Sequence, residues 1–544
     1  MKKIKIFALL AAAAVSFLST GCIDETFPEG STVTADQLAG GAESLEASLN
    51  GIPTMFSQGY LVYGSQTHET DLGYPLYMIA MTNLTGDIYP CEDGTSYDWW
   101  WAYNTFNASM GPSSYWAYLP WFTAYTFIKA ANDIIGIVDI DDESVGDDMK
   151  GYAGICYAYR AYSYYLLTLL FEPKENIYTD ASNVLGLTVP IVTYETTGDE
   201  SKNNPRVSHD EMIEFMLSDL DIAESLLTNY SPSSKKFPDL SVVYALKAKV
   251  YLLDEQYANA ATYARKAIDN SGATPMSESE WTDPSSGFNT VCSSWLWYTN
   301  YDAENMSNLA NFTGWMAQES DWGYASLTQY CLDRALYDEI NATDFRKHVF
   351  LDPEKYGYYN YQTCRDEDWI NDAPDYLMLK FRCLGGDYET YTIGGAVDIP
   401  ILRVEEMYFI EAEAVGTTQG VTAGTSLLNS FMQTYRDPQY ASTATTLEDL
   451  QQDIYTQMRI EFVGEGKAFQ MAKRLQLGCM QYYEGSNAPS DEYRVNCKGM
   501  KPNWTLMIPQ DELDANSAIY GYNNPDPSQA IDYPSPIGEY SDPL

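Results

Sequence analysis

The sequence predicts a mostly α-helical protein, built as a tetratricopeptide-repeat-like scaffold with a large loop-rich insertion and few short strands. Apolar residues recur at helical spacing from about residue 36, and residues 241–270 have the pattern of a tetratricopeptide helix pair. Residues 271–400 are rich in Gly, Pro, Asp, Asn and aromatics and lack long helical periodicity, which is typical of a functional insertion. Helical patterns resume at 398–415 and 447–476.

The first 21 residues have the features of an export signal. A basic start is followed by an apolar run at residues 6–18 and then by Gly21 and Cys22. The run is too short for a spanning helix, and its ending is similar to a bacterial lipoprotein signal. The mature chain would begin at Cys22, with acyl chains that anchor it and residues 22–34 as a flexible tether. An ordinary secretory signal with an incidental Cys22 is the alternative.

Three segments carry helical spacing ahead of the repeat-like pair. Residues 119–138 place apolar side chains on one face, and residues 150–171 form a helix rich in Ala and Tyr. Residues 211–227 form a third helix, whose start has the Ser208 and Glu211 of a capping box. These helices are the expected neighbours of the repeat-like pair, because one such pair cannot stack alone.

The repeat-like pair is recognised by its small residues. Ala248, Ala260 and Ala267 occupy the positions where two tetratricopeptide helices approach closely, with tyrosines between them to fill the groove. Three matching small positions favour this structure over an unrelated helical hairpin.

Charge and composition narrow the classes of partner. The chain carries 76 acidic and 31 basic residues, a net charge of −45, which disfavours nucleic acid and anionic membrane surfaces. We expect no cofactor and no nucleic-acid partner. Structural calcium would suit an acid-rich run such as 139–148, but that run lacks the spacing of a calcium-binding loop, so a solvated turn is favoured.

Cysteine usage leaves disulfide pairing open. Besides Cys22 the chain has eight cysteines and only three histidines, and it contains no Cys-x-x-Cys pair, so a zinc site is unexpected. The pairs closest in sequence are Cys364 with Cys383 and Cys479 with Cys497. Export permits disulfides, and buried free thiols are the alternative.

The most unusual stretch is DGTSYDWWWAYNTFN at residues 93–107. A helix turns by about 100° and a strand by about 180° per residue, so the three consecutive indole rings point in different directions. At least one ring must face away from the core. A pyranose has a face of C–H bonds that suits an aromatic ring, and a rim of hydroxyls that needs nearby polar groups. The candidate sugar-binding residues are Trp99, Trp100 and Trp101 for stacking, with Asp98 and Asn104 for the hydroxyls.

The insertion carries a second set of aromatic residues. Trp295 and Trp297 alternate with other residues, which indicates a strand with one aromatic pair buried. In the loop-rich stretch that follows, no period directs the rings inward, so they are further candidates for stacking on a sugar. Packing in the core is the alternative for each of these rings, which are Tyr301, Trp315 and Trp322.

Short motifs follow one another along nearly the whole chain. They are W-x3-Y-x2-I-x3-N at 121–132, YRAYSYY at 159–165, GLTVPIV at 186–192, R-x-S-x2-E-x4-hydrophobic-x2-D-L at 206–220, IPILRVEEMYFIEAEA at 399–414, R-x-E-F-x2-E-G at 459–466 and IPQDEL at 508–513. With the lipoprotein signal and the acidic residues after Cys22, they resemble the SusD/RagB family of Bacteroidetes. One departure is EGKAFQMAKR, where Ala468 and Met471 replace the usual Arg and Asp of a structural ion pair, while Arg474 is kept.

The resemblance implies a surface-exposed outer-membrane lipoprotein, anchored at Cys22, that captures an oligosaccharide or polysaccharide. Such a protein hands its ligand to a SusC-like TonB-dependent transporter and is not an enzyme. The implied regions are residues 35–270 and 271–544, packed as one compact unit. Trp101 and Asn104 match the spacing of an aromatic and an Asn in a starch-binding member. The alternatives are a peptide- or other nutrient-binding lid of the same transporter type, an interaction scaffold, or a glycoside hydrolase with paired carboxylates.

Overall fold

Helices dominate the protein, as the sequence predicts. The computed structural model describes residues 42–57, 71–91, 110–304, 306–309, 311–355, 362–489 and 495–530. The helices are α1 (Ala42–Met55), α2 (Pro75–Thr85), α3 (Tyr115–Ile135), α4 (Asp147–Phe171), α5 (His209–Leu227), α6 (Leu240–Leu253), α7 (Tyr257–Ser271), α8 (Glu278–Thr282), α9 (Thr313–Met316), α10 (Arg334–Asp338), α11 (Glu367–Asp372), α12 (Tyr391–Gly394), α13 (Val404–Gln419), α14 (Val421–Tyr435), α15 (Leu447–Glu461), α16 (Ala468–Arg474) and α17 (Gln510–Ala515). The strands are β1 (Ile88–Pro90), β2 (Trp295–Asn300), β3 (Tyr330–Leu332), β4 (Asp398–Arg403), β5 (Cys479–Met480) and β6 (Asn496–Cys497).

The long helices form one stack. Each helix from α3 to α7 packs against the next, α7 packs against α13, and α13 packs against both α14 and α15. The chain between α7 and β4 leaves the stack and returns to it, and it contains the short helices α8 to α12. The tetratricopeptide-like helical scaffold with few short strands is therefore confirmed.

The α6–α7 pair has the predicted close packing. Ala248, Ala260 and Ala267 are completely buried, so the small residues do line the contact between the helices. The capping box at the start of α5 is also confirmed, since Ser208 accepts a hydrogen bond from the Glu211 N–H and Glu211 reaches back to Ser208.

Motif residues from three helices meet inside the stack. Arg160 in α4 donates two hydrogen bonds to the Asp219 carboxylate in α5, at 2.7 and 2.8 Å, and a third to Asn132 in α3 at 2.7 Å. All three side chains are buried, and burial of a charge is tolerated only when it is paired and hydrogen-bonded. The motifs that identify the sequence thus fix how α3, α4 and α5 pack.

Motif residues of 399–414 and 459–466 also take part in a buried charge cluster beside β4 and α15, together with charged residues from outside the motifs. Its members are Arg346, Lys380, Arg403 and Arg436, with Asp344, Glu405, Glu461 and Glu465. Cations and carboxylates balance one another, so the cluster carries no net charge. Outside it, Arg474 pairs with Glu413 at 2.5 Å, while Ala468 and Met471 are buried in apolar packing.

Two helical predictions need correction. Residues 398–415 do not form one helix, because residues 398–403 pair antiparallel with β2 as strand β4 before α13 begins. The predicted helix at 447–476 is interrupted between α15 and α16. Gly464 and Gly466 lie there at φ of 78° and 73°, a conformation that side-chain-bearing residues rarely adopt. Helix α14 was not among the predicted segments.

Candidate functional site

The predicted Trp-rich segment begins where β1 is fixed to the insertion. Trp99, Trp100, Trp101, Asp98 and Asn104 lie outside the described residues, as does Cys22. Strand β1 pairs antiparallel with β3 of the insertion, and Cys91, the residue after β1, forms a disulfide with Cys331. The Cys91 N–H also donates to the Gln329 carbonyl at 2.8 Å. Cys91, two residues before the Trp-rich segment, is therefore held against the insertion. The insertion is also where the second set of sugar-binding aromatics was predicted.

Polar side chains beneath β1 hold this junction in place. The Tyr89 hydroxyl donates to the Asp333 carboxylate at 2.8 Å, and Asp333 also caps α10 by accepting the Leu336 N–H. Burial raises the pKa of Asp333, although the positive charge of Arg459 opposes the rise. Arg459 itself pairs with Asp87, just before β1, at 2.6 Å. These contacts tie the junction to α10 and α15.

The prediction that Tyr301, Trp315 and Trp322 offer open rings is wrong. Their exposed fractions are 2%, 1% and 4%, so none presents a free face to a sugar. The Tyr301 hydroxyl donates to the Leu72 carbonyl at 2.9 Å, and burial raises the pKa of Tyr301 well above its ordinary value.

The two tryptophans of this set are held by neighbouring side chains. Trp315 in α9 stacks on Tyr324 with ring centroids 4.0 Å apart and planes inclined by 10°. Trp322 packs with Ala317 and Cys383 in a small separate core. The local sequence has no helical or strand period that would direct the two rings inward. They are buried instead by contacts with Tyr324 and Cys383, which lie further along the chain. Trp295 and Trp297 in β2 are both buried as well.

The surface above Trp322 carries an aromatic and charged group that sequence reasoning did not single out. We call it the Arg365 cluster, and its residues are Arg365, Asp321, Trp369 and Tyr388. The Arg365 guanidinium lies 4.0 Å from the centre of the Tyr388 ring and 5.2 Å from that of Trp369. The guanidinium also pairs with the Asp321 carboxylate at 2.6 Å. The side chain of Asp321 is 52% exposed.

The local sequence explains how the Arg365 cluster forms. Asp366 caps α11 by accepting the Trp369 N–H at 2.9 Å, so the first turn of the helix brings Trp369 back over Arg365. A capping Asp between an Arg and a Trp four residues apart is the signal that could have revealed this pairing. Both rings are half-buried, so they also offer apolar surface to a ligand.

The Arg365 cluster and the β1 junction are attached to the same segment of the insertion. Arg365 donates to the Glu319 carbonyl at 2.8 Å. Gln318, the preceding residue, accepts the Tyr330 N–H at 2.9 Å beside the disulfide. The candidate site is the surface that joins these two places. It offers ring edges, a guanidinium and a carboxylate, which are groups that hydroxyl-rich ligands bind.

Within the described ranges, no three His, Cys, Asp or Glu side chains are grouped to hold a metal ion. In the acid-rich run at 139–148, Asp139 and Asp142 accept backbone N–H groups of their own turn.

Removing the Cys91–Cys331 disulfide should lower stability. The bond joins residues 240 positions apart, and the double change Cys91→Ser with Cys331→Ser should lower the free energy of unfolding by about 2–4 kcal/mol. Urea unfolding without reductant measures the loss. The change Cys292→Ser, at a half-buried free thiol, is the control and should have little effect. Equal stability of the double variant and the unmodified protein would contradict the expectation.

Comparison with known proteins identifies the family. A family described as starch-binding and associating with the outer membrane matches residues 80–252, and the SusD family matches residues 249–526. The second match alone covers more than half of the chain. The protein belongs to the SusD family. The SusD-like protein P38 of Formosa agariphila is 31% identical over 179 residues, which are 32% of this chain and 31% of that protein. The chain thus matches about a third of that relative's length.

Solved structures share the SusD fold. A SusD-like carbohydrate binding protein from Bacteroides vulgatus has a TM-score of 0.69 and 21% identity, and the match covers 88% of this chain and 97% of that one. Surface glycan-binding protein A from Bacteroides thetaiotaomicron, in complex with laminarihexaose, has a TM-score of 0.59 and 15% identity, with 89% and 99% covered.

Family membership also bears on activity and location. SusD-family proteins are non-catalytic, carbohydrate-binding and associated with the outer membrane, in agreement with the prediction that the chain is not an enzyme. Over the part of the chain that the structure describes, no helix is both long and apolar enough to cross a membrane.

Proposed function

We propose that this protein is a surface-exposed lipoprotein that captures an oligosaccharide or polysaccharide and hands it to a SusC-like TonB-dependent transporter. The lipoprotein-like signal supports anchoring in the outer membrane through acyl chains on Cys22. Membership in a carbohydrate-binding family supports a glycan as the ligand. The net charge of −45 favours a neutral glycan over a polyanionic one.

One observation carries the proposal more than any other. Cys91, two residues before the Trp-rich segment, is fixed to the insertion by a disulfide and follows a strand pair, and Cys91 and Trp369 of the Arg365 cluster pack against the same small core. We assign stacking to Trp99, Trp100 and Trp101, and hydroxyl contacts to Asp98 and Asn104.

Weak binding at this site is compatible with capture. A dissociation constant of ~1 mM corresponds to only about −4 kcal/mol. A captured ligand is held beside the transporter at an effective concentration in the ~mM range, so even a weak site can pass its ligand on. Opening of the protein about a hinge, like a lid, would release the ligand into the transporter.

A glycan array probed with the purified mature protein tests the ligand class. We expect retention of a subset of neutral glycans and no new reducing ends after incubation with them. Retention of peptides instead of glycans would replace this proposal with the nutrient-lid alternative, and new reducing ends would indicate a hydrolase. Co-purification from detergent-solubilised outer membranes tests the transporter, which should elute with the protein at a fixed ratio.

Changing the Arg365 cluster should weaken glycan binding moderately. The variant Arg365→Ala removes a guanidinium that can bond sugar hydroxyls, and one hydrogen bond contributes about 0.5–1.5 kcal/mol. We therefore expect affinity to fall about 2- to 13-fold in titration calorimetry. The control is Arg265→Ala in α7, where the Arg pairs with Glu411 on the helical stack. A control that loses as much affinity as Arg365→Ala would argue against a role for the cluster.

A further inference from the structure

Two cysteines outside the Cys91–Cys331 disulfide face one another across a short strand pair. Strands β5 and β6 are antiparallel, and Cys479 lies directly opposite Cys497. Their sulfur atoms are 3.2 Å apart. Directly opposed residues of an antiparallel pair have Cα atoms about 4.5–5.5 Å apart, which is within the range of about 4.4–6.8 Å found in disulfides.

The backbone around the two cysteines is built for this close approach. A Cβ atom at Gly478 would lie 2.3 Å from the Cys497 carbonyl oxygen, so only glycine fits beside Cys479. On the other side, the Asn496 side chain accepts the Gln481 N–H at 2.9 Å and donates to the Tyr482 carbonyl at 2.7 Å. These contacts hold the strands in the register that pairs the two thiols.

The two thiols differ in exposure and in acidity. Cys479 is partly exposed and lines a pocket of about 530 Å³, whereas Cys497 is buried. Burial opposes ionisation of Cys479, but the hydrogen bond from Cys497 and the positive charges of Lys501 and Arg459 lower its pKa. The hydrogen bond to Cys479 and burial raise the pKa of Cys497. Cys479 is therefore the nucleophilic thiol and Cys497 the resolving one.

We propose that Cys479 and Cys497 are the site of a second disulfide, formed after export by a thiol–disulfide oxidoreductase in its disulfide form. The Cys479 thiolate attacks one sulfur of the oxidoreductase disulfide, giving a mixed disulfide and releasing the other oxidoreductase sulfur as a thiolate, which takes up a proton. Cys497 loses its proton and attacks the Cys479 sulfur. The protein disulfide forms, and the oxidoreductase leaves as a dithiol that carries the two electrons.

The new bond would close the loop between residues that are 18 positions apart and fix β5 and β6 as one wall of the pocket. By the loop-closure argument, its removal should raise the unfolding equilibrium constant on the order of 100-fold. The disulfide already present between Cys91 and Cys331 shows that the fold accommodates oxidised cysteines near this pocket, whose lining includes Asp333.

Thiol labelling of the full chain tests the proposal. Protein extracted from outer membranes is denatured with N-ethylmaleimide present and no reductant, digested, and analysed by mass spectrometry. We expect label on Cys156 and Cys292 but none on Cys479 and Cys497, whose peptides should appear as one cross-linked species until a reductant is added. Label on both Cys479 and Cys497 without reductant would overturn the proposal, as would cross-links from either residue to another cysteine.

The variant Cys479→Ser checks the pairing without depending on stability measurements. It should leave Cys497 fully labelled without reductant, whereas the matched variant Cys292→Ser should leave Cys479 and Cys497 cross-linked. A blocked Cys497 in Cys479→Ser would show that the pairing is wrong. None of these results depends on whether the protein binds a glycan.

Discussion

Replacing Glu461 with glutamine should lower the free energy of unfolding by about 3–5 kcal/mol, because it leaves buried arginines without their counter-charge. Glu461 is fully buried in the charge cluster. One of its oxygens accepts from Arg403 at 3.0 Å and Arg436 at 2.8 Å, and the other accepts from Arg436 at 2.7 Å and Arg346 at 3.0 Å. The glutamine retains the shape of the side chain but cannot accept bonds at both ends, so its NH2 group would face an arginine.

The same substitution should change the response to acid. Burial opposes ionisation of Glu461, but Arg436, Arg403 and Arg346 outweigh it and hold its pKa well below the ordinary range. A carboxylate with a lowered pKa in the folded state stabilises the fold fully above its unfolded pKa of about 4.3, and this contribution is lost as pH falls below that value. Chemical unfolding from pH 7 down to pH 3 should therefore show a shallower loss for Glu461→Gln than for the unmodified protein.

A surface pair gives the control. Asp133 pairs with Lys129 on α3 at 2.7 Å, with exposed side chains, and such helix pairs contribute only about 0.3–0.5 kcal/mol. The variant Asp133→Asn makes the same chemical change as Glu461→Gln and should have almost no effect on urea unfolding. Equal effects of the two variants would mean that the cluster contributes no more than an exposed pair.

Several charged residues of the family motifs form buried ion pairs that join elements of the fold. Arg160 and Asp219 join α4 to α5, while Arg403 and Glu461 join β4 to α15. A buried ion pair needs both partners at fixed places, because loss of one leaves an uncompensated buried charge. The helical scaffold itself could be predicted from its small residues. Residues such as Ala260 are required wherever two helices approach closely, and their spacing is visible in the sequence.

The candidate site could be predicted only in part. Nothing in the local pattern shows that Trp315 stacks on Tyr324, or that Trp322 packs against Cys383, because those contacts depend on how the insertion turns back on itself. Cys91 and Cys331 are separated by most of the helical stack in sequence, so the closest sequence pairs gave no indication of their bond. Helical and strand periodicity reports only which face of a local element is apolar, so it does not reveal long-range contacts of this kind.

Replacing Trp101 with alanine should weaken glycan binding about 30-fold and leave thermal stability almost unchanged. The proposal assigns this ring to stacking on the sugar face, and loss of an aromatic residue at a binding hot spot costs about 2 kcal/mol or more. Titration calorimetry with a glycan selected from the array measures the first effect, and thermal unfolding measures the second. Trp101→Phe should recover part of the affinity, because a smaller aromatic face remains.

Trp315→Ala is the matched control for Trp101→Ala, since it removes the same side chain from a buried position. Its ring stacks on Tyr324, so we expect a loss of about 3–5 kcal/mol of stability, as for other large core truncations. The two variants should therefore separate, one losing affinity and the other losing stability. If Trp101→Ala destabilises the protein as much as Trp315→Ala does, the Trp101 ring is part of the core, and the glycan must be stacked by Trp99 or Trp100 instead. If neither Trp99→Ala nor Trp100→Ala then reduces affinity, the Trp-rich segment is not the binding site.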